Sequence, residues 1–165
     1  MNLEELGSFK DKTISRLIQD DNIVDVLIGD AAKDPDADIE TLLLGESGSG
    51  ANGCVFKFEY VPDTQENAKT FLCVEDVPIQ SASGDTIVGI KLYVFAYCSK
   101  SIMQTYRRAN AAGTRIDILM SDIDKILNGN RDFGIGKLIR EDGDIYKPEK
   151  TYYGRMAVYS VASFS

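Results

Sequence analysis

The chain has 165 residues, an apolar fraction of 44%, a formal net charge of −8 and no histidine. A chain of this length and apolar content buries a sizeable core without disulfide or metal support, so we expect a single domain over residues 1–165. The negative charge argues against sequence-specific binding of nucleic acid, whose phosphates attract basic surfaces. Without histidine, Ser-His-Asp and Cys-His catalysis and histidine-based zinc sites are absent.

No stretch of the sequence approaches the roughly 20 consecutive apolar residues that a membrane-spanning helix needs. The acidic start, Met1-Asn2-Leu3-Glu4-Glu5, lacks the basic and then apolar pattern of a secretory signal. We therefore expect a protein of the cytoplasm, or of a particle assembled there, that does not contact a membrane.

Residues 1–44 predict a helical N-terminal part. Apolar residues at near-helical spacing indicate a first helix over about 3–19 and a short second helix that ends near residue 27. Gly29 and Pro35 then stop the helical pattern.

An acidic segment follows, in which Asp34, Asp36, Asp38 and Glu40 recur at every second residue, as oxygen ligands do in the first half of a calcium loop. Ile39 stands where that loop needs glycine, and Gly45 replaces the closing glutamate. We interpret the segment as a solvated connector and predict no metal site.

Residues 45–53, GESGSGANG, predict a flexible loop, because glycine is costly to fix and the run offers no large side chain to a core. The loop also invites a phosphate-binding interpretation. It lacks the Lys-Ser/Thr ending of that motif, and a strand pattern follows where a helix should begin. A small-molecule or nucleotide-binding module that uses Gly45–Gly53 remains an alternative function.

Residues 54–165 predict a core made of a sheet and a helix. Strand patterns cover Val55–Val61, Thr70–Val77 and Thr86–Tyr97, and we expect a three-stranded antiparallel group. One face of the longest strand is apolar, whereas the other, which carries Lys91, Tyr93, Phe95 and Tyr97, is aromatic and partly polar. We expect helices on the first face and solvent or a partner on the second.

The three cysteines, Cys54, Cys73 and Cys98, have no CxxC spacing, and each lies in or beside an apolar strand pattern. We expect buried free thiols. The alternative of a nucleophile or metal thiolate lacks a histidine that would serve as base or second ligand.

The segment Arg115–Leu127 predicts an amphipathic helix with apolar residues at three- and four-residue spacing. Asp117 in its first turn and Lys125 in its last suit the helix dipole, and Asn128-Gly129 supplies a stop signal. Asp117 and Asp124 stand seven residues apart and could share a face for acid/base catalysis. Charged residues are ordinary at the edge of such a helix, so we predict no enzyme activity and no catalytic residue.

After this helix, the sequence predicts a polar turn at Glu141–Asp144 and a final strand over Thr151–Phe164, which is rich in tyrosine and valine. The expected fold class is α+β. It comprises N-terminal helices, an antiparallel or mixed β-sheet with one main amphipathic helix packed on it, and C-terminal β-strands.

The segment RIDILMSDIDKILNGNRDFGIGKL, followed by TYYGRMAVYSVASF, resembles the C-terminal part of small neck or tail-terminator proteins of tailed bacteriophages and prophages. The resemblance extends upstream to YVPDTQENAKTFLCVED (residues 60–76) and IVGIKLYVFAYC (residues 87–98). It covers roughly two thirds of the chain and rests on structural rather than chemical motifs. Nothing before Gly53 matches the pattern.

The resemblance implies a structural virion protein that forms a homo-oligomeric, six-fold ring, caps the tail tube and joins it to the head connector. The implied partners are further copies of the chain, the tail tube protein, and the connector or head-closure protein. A head-closure (stopper) protein of the same neck is the alternative. The particle would assemble in the cytoplasm of a bacterial host, and no cofactor is implied. The chain's acidity then serves either solubility or a passage through which DNA slides.

Tyrosine and arginine are enriched where protein surfaces meet. On this basis we predict ring contacts at Phe133, Ile135, Tyr153 and Arg155, which surround glycines after the helix and in the last strand. The alternative for Tyr153 is that it covers the edge of the core.

Overall fold

The computed structural model describes residues 3–63, 68–133 and 136–162, and the structural statements below concern these residues. Its helices are α1 (Leu3–Ile18), α2 (Asp21–Ile28), α3 (Ile39–Leu44) and α4 (Arg115–Leu127), with short 3-10 turns at Gly29–Lys33, Glu46–Gly48 and Lys100–Ile102. Its strands are β1 (Val55–Phe56), β2 (Thr70–Gln80), β3 (Ile87–Ser99), β4 (Ile139–Tyr146) and β5 (Tyr152–Ala162). The expected α+β class is confirmed.

Side-chain caps fix where the helices begin. Asp20 accepts a hydrogen bond from the amide of Ile23 at 3.1 Å and starts α2. At α4, Thr114 and Asp117 form a capping box in which each side chain accepts from the other residue's amide. Gly129 follows α4 with a φ of 81°, a conformation that glycine adopts without steric cost. These signals explain why α4 has the predicted bounds.

The strands form one sheet in the order β1-β2-β3-β5-β4. β3 pairs antiparallel with β2 on one side and with β5 on the other, and β4 pairs antiparallel with β5. β1 pairs parallel with β2 over only two residues. The sheet is therefore mixed and open, with β1 and β4 as its terminal strands.

The helices pack on one face of the sheet, as the sequence predicts. Hydrogen bonds join α4 to β5 at Arg155 and Tyr159, whose partners across the sheet are Ala96 and Leu92. α1 and α2 lie against β2. The core between these layers contains fully or almost fully buried side chains from every layer: Leu17, Ile23, Val26, Leu72, Val74, Ile90, Leu92, Val94, Leu119, Ile123 and Leu127.

The other face of the sheet departs from the expectation of solvent or a partner. Tyr97 is fully buried, its hydroxyl donates to the carbonyl of Tyr60, and its ring stacks on Phe71 with 5.1 Å between centroids. Residues 57–60, predicted as part of a strand, fold over this face instead. On this face of β3, Lys91 and Tyr93 are partly exposed, whereas Phe95 and Tyr97 are buried.

Three further sequence predictions are wrong in detail. The first strand ends at Phe56, not Val61, and runs parallel to β2, so the antiparallel group of three does not form. Residues 39–44, which begin inside the predicted acidic connector, form α3, which Asp38 caps. The predicted turn at Glu141–Asp144 is strand, and the chain turns after Tyr146.

Gly154 allows β5 to approach β3 closely. A Cβ atom at this position would lie 2.5 Å from the Cα of Tyr97 and inside contact distance of the carbonyl oxygen of Ala96. Because backbone atoms cannot move aside as a flexible side chain does, we expect Gly154→Ala to lower the free energy of unfolding by about 1–3 kcal/mol or more.

Gly143 on the neighbouring strand is the matched control, since a Cβ there would meet its nearest atom, the carbonyl oxygen of Met156, at an ordinary 3.5 Å. We expect Gly143→Ala to change stability by no more than about 0.5 kcal/mol. Urea denaturation followed by circular dichroism measures both variants, and equal losses in the two would contradict the steric argument.

Candidate functional site

Phe133 and Ile135 are the first two predicted contact residues. Phe133 is buried, at 6% exposure, and meets Phe9 of α1 edge to face with 5.9 Å between ring centroids. It also borders a depression of about 420 Å³ on α1. Phe133 thus has a packing role within the subunit, and its role in a ring stays a prediction. Ile135 lies outside the described residues.

Tyr153 and Arg155 lie on the helix side of β5, near the start of α4. Tyr153 is half-buried, and the ammonium of Lys147 lies 5.8 Å from its ring centroid. The Nε of Arg155 donates to Asp117 at 2.9 Å. Burial alone would raise the pKa of Asp117, but the hydrogen bonds from Thr114 and Arg155 lower it below its ordinary value.

Arg155 lines a groove of about 720 Å³ between α4 and β4, which we call the α4–β4 groove. Its floor includes the small residues Gly143 and Ala157, and Met120 of α4 lines one wall. The hydroxyl of Tyr159 donates to Asp124 at 2.7 Å, and burial together with this bond raises the pKa of Tyr159. The groove exists because α4 packs over β3 and β5 but does not extend over β4.

β4 itself is an exposed edge of the sheet. Every residue from Ile139 to Ile145 is exposed, and only Tyr146 is half-buried. Two of its side chains are large and apolar, Ile139 at 45% exposure and Ile145 at 46%. In the described part of the chain, no strand pairs with its outer side.

Polar side chains accept hydrogen bonds from backbone amides along this edge. The amide of Gly143 donates to Asp142 at 2.8 Å, and that of Ile145 donates to Asp144 at 2.7 Å. The amide of Arg140 donates to Asn128 at 3.0 Å. A bulge lies between Arg140 and Asp142. Such charges and bulges oppose uncontrolled strand pairing, so β4 is a guarded edge.

The opposite side of the sheet offers a different surface. Beyond its short pairing with β1, the outer side of β2 from Val74 to Gln80 has no strand partner among the residues the structure describes. Phe58, which follows β1, is 53% exposed, and Val77 of β2 is 42% exposed. Large apolar side chains are therefore exposed on both sides of the open sheet.

The glycine-rich loop, Gly45–Gly53, is closed by its own backbone. Its amides at residues 46, 48, 49, 50 and 53 donate to carbonyls of residues 44–51. The amide of Ala51 donates to the hydroxyl of Ser49. Few amides are left to surround a phosphate, which weighs against the phosphate-loop interpretation. The predicted flexibility of the loop remains a prediction.

The acidic residues considered for metal binding or catalysis serve local structure. Asp34 accepts from the amide of Asp36 at 2.9 Å, and Asp38 caps α3. Within residues 3–63, 68–133 and 136–162, no group of three or more Cys, Asp or Glu side chains is placed to hold a metal ion. Asp117 and Asp124 bind separate partners, Arg155 and Tyr159, and do not converge on one point.

The three cysteines are buried and unpaired, as the sequence predicts. Burial raises the pKa of each of the thiols, Cys54, Cys73 and Cys98, to about 12. A thiol in this state is a poor nucleophile, because the thiolate is the reactive form.

Two features of the described residues could not be predicted from the sequence. Asp142 and Asp144 cap amides of a strand, but Asp-Gly-Asp is also the composition of a turn, so no local signal identifies them. Arg115 donates to the carbonyl of Val26, 89 residues away, a contact that spacing along the chain does not indicate.

No helix in the described portion has the length and apolar content needed to cross a bilayer.

Comparison with protein-family models gives a match. A protein-family model described as YomW matches residues 11–161, which is nearly the whole chain, and the chain therefore belongs to the YomW family. The name is of the type given to Bacillus phage and prophage proteins, which indicates a phage origin. No curated protein matches the chain significantly, and no solved structure does so either.

If Asp142 and Asp144 keep β4 from pairing with other strands, removing both carboxylates should have a measurable effect. In the double variant Asp142→Ala and Asp144→Ala, the amides of Gly143 and Ile145 lose their acceptors and two negative charges leave the edge. We expect self-association through strand pairing, seen as a rise in molar mass by light scattering and binding of an amyloid dye on standing. The pair Asp34→Ala and Asp36→Ala removes the same charge away from the sheet and should leave the molar mass unchanged. Equal association of both pairs would mean that net charge alone is responsible.

The raised thiol pKa values predict slow alkylation. At pH 8 a pKa near 12 leaves a thiolate fraction about a thousandfold below that of an unfolded cysteine. We expect mass spectrometry to find little iodoacetamide adduct in the native protein and three adducts after unfolding in guanidinium. Rapid labelling of one native cysteine would show that its thiol is accessible and activated.

Proposed function

We propose that this member of the YomW family is a structural subunit of a phage or phage-derived particle. In this proposal, copies of the chain close into a ring of about six, which caps the tail tube as a tail terminator and joins it to the head connector. The family name supports the phage origin, and the resemblance of residues 60–76, 87–98 and 115–164 to neck proteins supports the position at the neck.

The observation that carries the proposal is the exposure of apolar side chains on both sides of an open sheet. Ile139 and Ile145 lie on β4, whereas Phe58 and Val77 lie at β1 and β2. An unpaired sheet edge that carries exposed apolar side chains is a surface on which another chain can pair. The two sides differ in sequence and shape, since only the β4 side carries the groove beneath α4.

A closed ring requires such a pair of unlike surfaces. When one surface of each subunit binds a different surface of the next, the contacts generate a ring if the rotation closes. A single self-complementary surface would stop at a dimer. The β4 side and the β1–β2 side therefore suit a head-to-tail contact, and we propose that they meet across the ring's interfaces.

The charges along β4 give this contact a means of control. The carboxylates of Asp142 and Asp144 occupy amides of the strand in the isolated subunit. A neighbouring subunit has to displace them or to dock beside them, in the α4–β4 groove. Such an edge opposes association with wrong partners, which suits a protein that must assemble only at the end of a tail tube.

Head closure is the second candidate within the same class, and a ring of this kind is compatible with both roles. Binding separates the two candidates. A tail terminator captures purified tail tube protein without the connector, whereas a head-closure protein captures the connector first. Both belong to the virion neck, and neither requires a cofactor, a membrane or catalysis.

We predict that one charged substitution on either side of the sheet prevents ring formation. Ile145→Lys and Phe58→Lys each place a charge in a surface that the proposed contact buries, so each variant alone should have the monomer mass by light scattering. Leu3→Lys makes a comparable change at an exposed apolar residue of α1, 69% exposed, and should keep the mass of the unsubstituted protein.

A mixture of the two variants tests the head-to-tail arrangement directly. Each variant keeps one intact surface, so the mixture should form a species of twice the monomer mass and nothing larger. If the unsubstituted chain stays monomeric at every concentration and in the presence of tail tube protein, the ring proposal fails. If the mixture forms no dimer although the unsubstituted chain forms rings, the ring uses other surfaces.

A further inference from the structure

We propose that the outer edge of β4 binds an extended segment of another protein, in which basic and apolar residues alternate. The segment adds to the sheet as a further strand beside β4. This inference rests on the backbone and the charges of β4 and does not depend on ring formation.

Two backbone amides of β4 point away from the sheet. The amide of Gly143 donates to Asp142 and the amide of Ile145 donates to Asp144, so neither amide bonds to β5. Backbone groups alternate in direction along a strand, and two outward amides separated by one residue are roughly 7 Å apart. A neighbouring strand forms its hydrogen bonds at this spacing, so an added strand can use both amides.

The groups that cover these amides are easily displaced. Asp142 and Asp144 are exposed, and each carboxylate bonds the amide of the next residue in the chain. A carbonyl of an incoming strand can replace each carboxylate at its amide. The displaced carboxylate stays in contact with water, so the exchange leaves no buried unpaired charge.

The side chains of β4 form one acidic and one apolar row. Ile145 pairs with Arg155, which bonds to Asp117 of α4, so Ile145 lies on the helix side of the sheet. Side chains alternate between faces along a strand, and Asp142 and Asp144 therefore lie on the other face. A strand complementary to both rows has basic residues opposite the aspartates and apolar residues beside Ile145.

The backbone of β2 is less suited to accept a strand. The amide of Leu72 donates outward to the carbonyl of Cys54 in the direction of β1, so the alternate residues Asp76 and Pro78 also direct their backbone groups outward. Proline has no amide hydrogen, and one outward donor is therefore missing from this edge.

Lys10 of α1 also blocks the edge of β2. Its ammonium lies 3.2 Å from Glu75 and 3.5 Å from Asp76. Consecutive side chains of a strand point to opposite faces, so an ammonium that reaches both carboxylates lies across the outer edge of β2. A lysine in this position opposes pairing with a further strand.

A second copy of the chain is a poor source of the added strand. Its β2 edge is blocked, and its β1 has only two residues. Antiparallel pairing of two β4 edges through the outward amides would place Asp144 of one copy opposite Asp142 or Asp144 of the other, and like charges in opposite positions destabilise a sheet. A neighbouring copy can instead dock beside the edge, in the α4–β4 groove.

The test uses the full chain and a fluorescein-labelled peptide, Lys-Val-Lys-Val-Lys, with blocked ends. We expect saturable binding by fluorescence anisotropy. Mass spectrometry should show slower hydrogen exchange at residues 139–146 and no change at residues 74–80, because only the β4 edge pairs with the peptide. A peptide with glutamate in place of lysine should not bind.

N-methylated peptides test whether the backbone takes part in binding. One peptide carries methyl groups on both valine amides, and the other carries them on the second and third lysine amides. A strand bonds to its neighbour through alternate residues, so we expect only one of the two peptides to lose binding. Equal binding by both would mean that charge alone holds the peptide, and would overturn the proposal.

A pair of variants tests the role of the two aspartates. Asp142→Asn with Asp144→Asn keeps an acceptor for each amide but removes both charges, and binding of the lysine peptide should weaken roughly tenfold or more. Asp34→Asn with Asp36→Asn removes the same charge away from the sheet and should bind as the unsubstituted chain does. Equal weakening in the two double variants, slower exchange at residues 74–80 instead of 139–146, or absence of saturable binding would contradict the proposal.

Discussion

The fold depends on the complete pairing of its central strand, β3. This strand of 13 residues is hydrogen-bonded to β2 on one side and to β5 on the other along nearly its whole length. Because both edges of this strand are paired, only its two faces remain to be covered. The helices cover one face, and aromatic rings with residues 57–60 cover the other at Phe95 and Tyr97. Gly154 permits the pairing of β3 with β5, because it lets β5 lie directly against the backbone of β3 at Tyr97.

The sequence was most informative where local and long-range forces act together. α4 has its predicted bounds because apolar spacing, the Thr114–Asp117 capping box and Gly129 agree. β2 and β3 are apolar and long, and they form within a few residues of the predicted bounds. The length of β1 was overestimated because Phe58 and Tyr60 alternate with polar residues as in a strand. Only β2 is available to pair with β1, and this pairing ends at Phe56. The acidic β4 was missed because its composition is that of a turn and its place in the sheet comes from β5 alone.

Little of the candidate surfaces could be predicted from sequence, since each is assembled from distant segments. Arg115 is held by Val26, Thr70 and Ile102, which belong to three separate parts of the chain. These contacts depend on three-dimensional neighbours, not on spacing along the chain. Phe133 was chosen for its glycine-flanked position, but Phe9, far away in sequence, decides that it is buried. Arg155 was chosen for its residue type and its place beside Gly154; it lines the α4–β4 groove, and its role in a ring stays a prediction.

The place of β5 between β3 and β4 has a consequence for biosynthesis. β4 precedes β5 in the chain, yet it touches the sheet only through β5. While a ribosome is still making residues 152–162, β3 has one bare edge and β4 has nothing to pair with. That half of the sheet therefore closes after translation of β5 and not strand by strand. Until then the nascent chain exposes an apolar strand edge, so its yield in a cell should depend on how quickly this last segment leaves the exit tunnel or on chaperones that cover β3 meanwhile.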